Sequence, residues 1–148
     1  MKALVTGSAG FVGQHLIKHL EDNGDEVFGT DISSEGPDLL DLEGFTELFK
    51  QVNPGVVFHL AGQADVAASW KDPYETFKNN VEGTINVLTA ARESNTQKII
   101  TITSADVYGS VTSQELPITE ETALKPISPY ASSKAAAEVF SLQAHDGY

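Results

Sequence analysis

Cysteine is absent from the 148-residue sequence, and basic residues are scarce. Without cysteine the chain forms no disulfide framework, no thiolate nucleophile and no cysteine-ligated metal site. Nine Lys and Arg side chains stand against 21 Asp and Glu, which gives a formal net charge of -12 at pH 7. A surface this acidic disfavours nucleic acid and anionic membranes as partners, although an anionic ligand can still bind at a local site.

Long apolar runs are also missing. No run approaches the roughly 18 residues that a membrane-spanning helix needs, and the N-terminus lacks a secretory signal pattern. We therefore expect a cytoplasmic protein with no membrane partner. The acidic residues are scattered and the four histidines are unpaired, so we predict no metal site.

The length allows one domain with a real core, but it is small for an enzyme that holds both a dinucleotide and a second substrate. The sequence also stops abruptly at residues 146–148, without a capping or tail signal. We expect a single domain over residues 1–148, with a C-terminal substrate-binding part lying outside this chain.

The first thirteen residues predict a strand, a glycine turn and the start of a helix. The apolar run 3–5 leads into Gly7-x-x-Gly10-x-x-Gly13, and a helical pattern follows from Phe11 to Asn23. Glycines allow a sharp turn and let a pyrophosphate approach the backbone. The free N–H groups at the start of the helix then point at the phosphates, so this stretch indicates dinucleotide binding.

An acidic residue closes the next predicted strand, Glu26 to Asp31. Asp31 lies about twenty residues beyond the glycine turn, where dinucleotide-binding folds place a carboxylate against the adenosine ribose. A carboxylate there repels a 2′-phosphate. We therefore expect NAD as the cofactor and leave NADP as a possible alternative.

Strand and helix patterns alternate along the rest of the chain, which predicts an α/β fold with a doubly wound parallel sheet, the Rossmann fold. The later strands are expected at Val56–Leu60 and Lys98–Thr103, and the later helices at 42–52, from Pro73 to Asn95 and from Pro129 to Ala144. In the second of these helices the inward residues are expected to be Phe77, Val81, Ile85, Leu88 and Ala91. His59 ends a buried strand and is expected to be a packed, hydrogen-bonded core residue.

A tyrosine and a lysine lie side by side in the last helix, at Tyr130 and Lys134. A spacing of four residues puts both on one helical face, and a neighbouring cation favours the phenolate form of a tyrosine. Tyr130 can then exchange a proton with a substrate oxygen as hydride moves to or from the carbon. Ser104, at the end of the strand that begins at Lys98, can hydrogen-bond the same oxygen.

The glycine turn, Asp31, Ser104 and the Tyr130–Lys134 pair together resemble the extended short-chain dehydrogenase/reductases. Within them the sequence resembles the NAD-dependent nucleotide-sugar epimerase/dehydratase family. The resemblance spans almost the whole chain. Its motifs here are Gly7-x-x-Gly10-x-x-Gly13, residues 59–64 (HLAGQA), Asn80-Val81-x-Gly83-Thr84, residues 103–109 (TSADVYG) and Pro129-Tyr130-Ala131-x-Ser133-Lys134.

The resemblance implies an oxidoreductase with Ser104, Tyr130 and Lys134 as catalytic residues and a nucleotide sugar as substrate. It also implies a homodimer, in which the helices that begin at Pro73 and Pro129 pack with the same two helices of a second copy as a four-helix bundle. The implied cofactor contacts are Phe11 and Val12 at the pyrophosphate, Asp31 at the ribose, Asp41 and Leu42 at the adenine, and Leu60 to Ala64 with Asn80 at the nicotinamide half. The full implied set is Gly7, Gly10, Phe11, Val12, Gly13, Asp31, Ile32, Asp41, Leu42, Leu60, Ala61, Gly62, Gln63, Ala64, Asn80, Tyr130 and Lys134.

Within the family the sequence looks most like GDP-6-deoxy-4-keto-mannose reductases and their GDP-mannose dehydratase relatives. Sugar 4,6-dehydratases place an acidic pair directly after the catalytic Ser or Thr, and Ala105 occupies the first of those positions, which weakens the dehydratase interpretation. A UDP-sugar 4-epimerase stays open as an alternative. So does a cofactor-binding fragment with no activity of its own.

Overall fold

The computed structural model describes residues 1–34 and 36–147. Within them the strands are β1 (Lys2–Thr6), β2 (Glu26–Thr30), β3 (Val56–His59) and β4 (Lys98–Thr101). They form one parallel sheet in the order β2-β1-β3-β4. The chain leaves β1 for β2 on one side and returns to β3 on the other, so the order reverses between β1 and β3. This confirms the predicted doubly wound α/β fold.

Helices connect these strands. They are α1 (Phe11–Asp22), α2 (Leu42–Val52), α3 (Val66–Lys71), α4 (Pro73–Phe77), α5 (Gly83–Arg92) and α6 (Pro129–Gly147), with a π-helical turn, Lys78–Glu82, between α4 and α5. The helix α3 was not predicted, because a helix of six residues is too short to reveal an apolar period. Its one signal is Asp65, whose carboxylate accepts a hydrogen bond from the Ala68 N–H at 3.0 Å.

The central strand β1 separates two apolar clusters. Because side chains alternate along a strand, Ala3 and Val5 pack with Leu20 of α1, while Leu4 faces the opposite cluster. That second cluster joins β1 and β3 to α2 and α5 through Phe45, Phe49, Val52, Val57, Val87, Ala90 and Ala91. With helices on both faces, only the ends of the strands remain open to ligands.

The π-helical turn corrects one expectation. Phe77 is not inward but 51% exposed, whereas Val81, Leu88 and Ala91 are buried as predicted. A π turn contains an extra residue relative to an α turn, so the helical period before it does not continue after it.

The strands end earlier than the patterns suggested. Asp31, Leu60 and Thr103 were predicted inside strands, and each lies just beyond a strand end, in a loop at the carboxyl edge of the sheet. The last helix instead runs longer than predicted, to Gly147. Among the described residues, none of the helices combines the length and the hydropathy that crossing a bilayer requires.

Candidate active site

A cleft of about 550 Å³ opens at the carboxyl edge of the sheet, where the strand order reverses. Ligands of doubly wound sheets bind at this position. The cleft is bounded by the glycine turn after β1, the segment after β2 and the loop after β3. Its lining includes twelve of the residues that the sequence predicted for the cofactor: Gly7, Gly10, Phe11, Val12, Gly13, Asp31, Ile32, Leu60, Ala61, Gly62, Gln63 and Ala64.

The glycine turn is packed too tightly for side chains. Gly7 has φ +71°, and a Cβ there would lie 2.8 Å from the Ala61 backbone nitrogen. A Cβ on Gly13 would lie 2.2 Å from the Gly7 carbonyl oxygen. The two glycines therefore let the start of α1 fold against the turn and leave the backbone open to the cleft.

The N-terminus of α1 has free donors at this cleft. Gly10 is the N-cap residue and supplies no side-chain hydrogen bond, and the first turn carries no acidic residue. The unsatisfied N–H groups and the positive end of the helix dipole therefore favour an anion here. Beside them the apolar side chains of Phe11 and Val12 are 83% and 57% exposed, as expected of residues that a ligand would cover.

Asp31 is held in place by three hydrogen bonds. Its Oδ2 accepts from the Ala9 N–H at 3.2 Å, and its Oδ1 accepts from the Ser33 N–H at 2.9 Å and the Ser33 hydroxyl at 2.7 Å. These bonds, the Ser33 hydroxyl first, hold the pKa of Asp31 below its usual value. The cleft wall therefore carries a fixed negative charge at neutral pH.

Two polar atoms in the cleft lining are buried without a hydrogen-bond partner among the described residues. They are Thr30 Oγ1 and Gln63 Oε1, and both residues belong to the cleft lining. A buried polar atom left unpaired is costly, and a ligand or an ordered water commonly satisfies it. With the glycine turn and the helix N-terminus, these atoms fit a cleft built for a dinucleotide.

Five of the predicted cofactor residues do not line the cleft: Asp41, Leu42, Asn80, Tyr130 and Lys134. Asp41 and Leu42 are not part of the cleft lining, because Asp41 caps α2: its Oδ1 accepts from the Gly44 N–H at 2.9 Å. Asp38 and Leu39 line the cleft instead. Other lining residues were not predicted, because their patterns indicated only strand, turn or helix: Thr6, Thr30, Pro37, Phe45 and Asn79.

Asn80 lies behind the loop that follows β3, in the π-helical turn. Its amide holds the Gln63 backbone, with Oδ1 accepting from the N–H at 2.8 Å and Nδ2 donating to the carbonyl at 3.0 Å. Nδ2 also donates to Ser133 Oγ at 2.9 Å, and that hydroxyl donates to the Tyr130 carbonyl at 2.7 Å. The loop and α6 are thus connected through one buried side chain, and π turns are common at functional sites.

Tyr130 and Lys134 lie on the first two turns of α6, and both are buried. Lys134 Nζ donates to the Ile102 carbonyl, just beyond β4, at 3.2 Å. It also lies against the loop after β3, since a Cβ on Gly62 would be 3.6 Å from Nζ. Burial lowers the pKa of Lys134. The ammonium of Lys134 therefore lies next to Gly62, which lines the cleft, although Lys134 itself is not part of the lining.

Ser104 and the Tyr130 hydroxyl complete the predicted catalytic set. Ser104 caps the 3-10 turn Ala105–Tyr108, and its Oγ accepts from the Asp106 N–H at 3.2 Å. That turn packs against α6. The Tyr130 hydroxyl makes no hydrogen bond within residues 1–34 and 36–147, so it remains available to a substrate oxygen.

Comparison with known proteins identifies the family of this chain. The model of the NAD dependent epimerase/dehydratase family matches residues 3–148. The chain belongs to this family, whose related members are nucleotide-sugar epimerases, dehydratases and reductases. The family is NAD(P)-dependent, which agrees with the expected cofactor.

Reductases and 4-epimerases both appear among the proteins that are similar to this chain. The GDP-6-deoxy-D-mannose reductase of Pseudomonas aeruginosa is 38% identical over 96% of this chain and 46% of its own length. The UDP-glucose 4-epimerase of Thermus thermophilus, solved with NAD, is 35% identical with TM-score 0.89 over 99% of this chain and 51% of that one. The RMD protein of Pseudomonas aeruginosa, solved with NADPH, is 34% identical with TM-score 0.84 over 100% of this chain and 51% of that one. The chain thus spans about half the length of the curated relatives it matches.

Proposed function

We propose that this chain is the dinucleotide-binding and catalytic part of an enzyme that reduces the 4-keto group of a GDP-6-deoxyhexose. The observation that carries the proposal is the position of Lys134 and Tyr130. Lys134 lies beside Gly62 of the cleft and bonds the Ile102 carbonyl, two residues before Ser104. A cofactor cleft and an acid/base group thus meet at one end of the sheet.

Three groups of residues are assigned to three parts of the cofactor. The backbone of the glycine turn and the first turn of α1 bind the pyrophosphate. Asp31 binds the adenosine ribose. Asp41 and Leu42 stay the predicted adenine contacts, and Asp38 and Leu39, which line the cleft, are further candidates. At the other end, the loop 60–64 and its support Asn80 hold the nicotinamide half, with Lys134 at the nicotinamide ribose.

The chain's own groups handle the proton. When bound, the reduced dinucleotide supplies a hydride to the carbonyl carbon. Tyr130 donates its phenolic proton to the carbonyl oxygen, which becomes the hydroxyl, and the ammonium of Lys134 stabilises the resulting phenolate. Ser104 donates a hydrogen bond to the same oxygen and orients it.

Ala105 supports a reductase over a dehydratase, because elimination of water needs an additional acid and base next to the sugar. The reductase relative at 38% identity supports the same choice. A UDP-sugar 4-epimerase is the second candidate, and the 35% identical epimerase structure supports it. Both reactions use the same hydride and proton transfer and differ in whether the cofactor is consumed.

The test is to mix the full-length protein that contains this chain with NADH and GDP-4-keto-6-deoxymannose, then follow the NADH absorbance and the sugar products. We expect one NADH consumed per 4-hydroxy sugar formed. Interconversion of UDP-glucose and UDP-galactose without net NADH loss would replace this proposal with the epimerase. Saturable NADH binding without turnover of any of these sugars would identify a cofactor-binding piece.

We further propose that the protein forms a homodimer through its long helices. Large apolar side chains remain exposed on α3 and α6, which pack against each other: Trp70, Val139, Phe140 and Leu142. Sedimentation velocity of the wild type and of Phe140→Glu tests this. We expect a dimer that the charged residue dissociates, whereas a wild-type monomer at all concentrations would contradict it.

A further inference from the structure

The imidazole of His59 is a buried titratable group that the proposed reaction does not use. It lies at the end of β3 and is 3% exposed. Its Nδ1 is 2.8 Å from Thr6 Oγ1 and its Nε2 is 3.1 Å from Thr84 Oγ1. Both ring nitrogens therefore have hydroxyl partners, one on β1 and one on α5.

The neighbouring bonds determine which nitrogen carries the proton. Thr84 Oγ1 lies 2.6 Å from the Asn80 carbonyl oxygen, which can only accept, so the Thr84 proton points there. Thr84 Oγ1 must then accept from Nε2–H of His59. The other nitrogen, Nδ1, is left to accept the proton of the Thr6 hydroxyl.

The same chain of bonds continues to the cleft. Thr6 Oγ1 also accepts from the Ala61 N–H, at 3.2 Å. At the other end the bond from Thr84 reaches Asn80, whose side chain holds the Gln63 backbone. His59 therefore links the two residues that hydrogen-bond the loop 60–64: Thr6, near the glycine turn, and Asn80, in the π-helical turn.

The surroundings keep the imidazole neutral. Burial, followed by the positive charge of Lys134, lowers the pKa of His59 to about 3. Lys134 of α6 is the charged group that acts on it, since its bonded partners on β1 and α5 are uncharged hydroxyls. Proton placement in this network is therefore set by the hydrogen bonds and stays the same across the physiological pH range.

We propose that His59 is a positioning residue for the cofactor cleft: its neutral, Nε2-protonated ring aligns the loop 60–64 with the glycine turn. The proposal rests on the proposed function only in taking this loop as a cofactor contact. It assigns a role to the ring beyond filling the core, because the ring bonds both Thr6, which accepts from the Ala61 N–H, and Thr84, which bonds the Asn80 carbonyl.

The decisive comparison is Thr84→Val against Thr76→Val. Both threonines are buried, at 3% and 1% exposed, and both hydroxyls donate to the backbone carbonyl four residues earlier. Only Thr84 also accepts from His59. Both variants lose one such bond, so Thr76→Val accounts for the loss of the backbone bond alone, and any further effect of Thr84→Val reports the bond to His59.

Three readouts are taken on the 148-residue chain: ¹⁵N shifts of labelled histidine, amide exchange at Ala61 and Gln63, and NADH affinity. We expect the wild-type His59 signal to be the neutral Nε2–H tautomer from pH 5 to 8. In Thr84→Val we expect a changed His59 signal, faster exchange at both amides and NADH affinity weaker by about tenfold. Thr76→Val should show none of these.

A wild-type His59 in the Nδ1–H or charged form at pH 6 would overturn the proposal. So would Thr84→Val matching Thr76→Val in amide exchange. Failure of the wild type to bind NADH would instead refute the proposed cofactor role, and the exchange comparison would still decide the role of His59.

Discussion

The side-chain amide of Asn80 pairs with both backbone polar groups of Gln63, at 2.8 Å and 3.0 Å. These two bonds support the loop 60–64, which lines the cleft. The amide of Asn80 also reaches Ser133, so the same group fixes the loop and the helix that carries Tyr130. We attribute the alignment of the cofactor cleft with the acid/base residue to this contact.

Replacing this support should loosen the site. We expect Asn80→Ala to lower the free energy of unfolding by about 2 kcal/mol, because it leaves buried backbone groups of Gln63 unpaired. NADH binding should weaken in parallel. Urea unfolding and NADH fluorescence titration measure the two effects. Asn95→Ala, an exposed asparagine far from the cleft, is the matched control; equal behaviour of the two variants would refute the support role.

A methyl group in the glycine turn should be severely disruptive. We expect Gly13→Ala to cost roughly 3 kcal/mol of stability and to abolish NADH binding, because its Cβ would meet the Gly7 carbonyl at 2.2 Å. Gly55→Ala is the control, since the nearest atom to its Cβ is the Lys2 carbonyl oxygen at 3.8 Å. Chemical unfolding midpoints compare the two, and a Gly13→Ala protein that binds NADH normally would be inconsistent with the assigned cleft.

Asp31 should govern the choice between NAD and NADP. Its carboxylate is kept charged by Ser33 and Ala9, and this charge repels a 2′-phosphate. We expect Asp31→Asn to shift the NADPH/NADH affinity ratio toward NADPH by about tenfold, or about 1.4 kcal/mol. Asp22→Asn removes an equal charge at an exposed ion pair with Lys18 and should leave the ratio unchanged. Parallel titrations with both dinucleotides measure the ratio. An unaltered NADPH/NADH affinity ratio in Asp31→Asn would show that Asp31 does not govern the choice of cofactor.

His59 should make the fold sensitive to acid. Its pKa is about 3 in the folded chain and about 6.5 in an unfolded one, so the unfolded state binds more protons between these values. The stability contributed by the neutral ring is complete above pH 6.5 and is lost as the pH falls toward 3. At pH 5 the loss is about 2 kcal/mol.

The variant His59→Asn isolates this effect, because the other titratable groups are shared with the wild type. We expect the wild type to lose about 2 kcal/mol more than the variant between pH 7 and pH 5, measured by urea unfolding. Equal losses in the two proteins would show that His59 is not held neutral by the fold.

The sequence predicts the parts of this molecule whose signals are local. The glycine spacing, the apolar strands and the Tyr130–Lys134 pair each lie within a few residues, so the fold and most of the cleft wall could be predicted. Contacts between residues that are far apart in the sequence could not be predicted. Nothing near Asp38 indicates that it, rather than Asp41, faces the cleft, because that depends on Asp41 being used to cap α2.

The π-helical turn is a second example. Asn80 in this turn bonds the loop after β3, and Thr84 just after it bonds His59. Local periodicity contains no trace of those partners. The periodic pattern therefore predicted Phe77 as inward, although it is exposed. The sequence did predict His59 as a hydrogen-bonded core residue, but not that its two partners support the cofactor loop.

The most direct measurement is NADH oxidation with GDP-4-keto-6-deoxymannose by Tyr130→Phe, alongside NADH affinity. Tyr74→Phe, an exposed tyrosine of α4, is the control. We expect Tyr130→Phe to turn over about a thousandfold more slowly, with a much smaller change in NADH affinity, because the proton donor is lost. Turnover by Tyr130→Phe at the rate of Tyr74→Phe would contradict Tyr130 as the acid/base residue of this site.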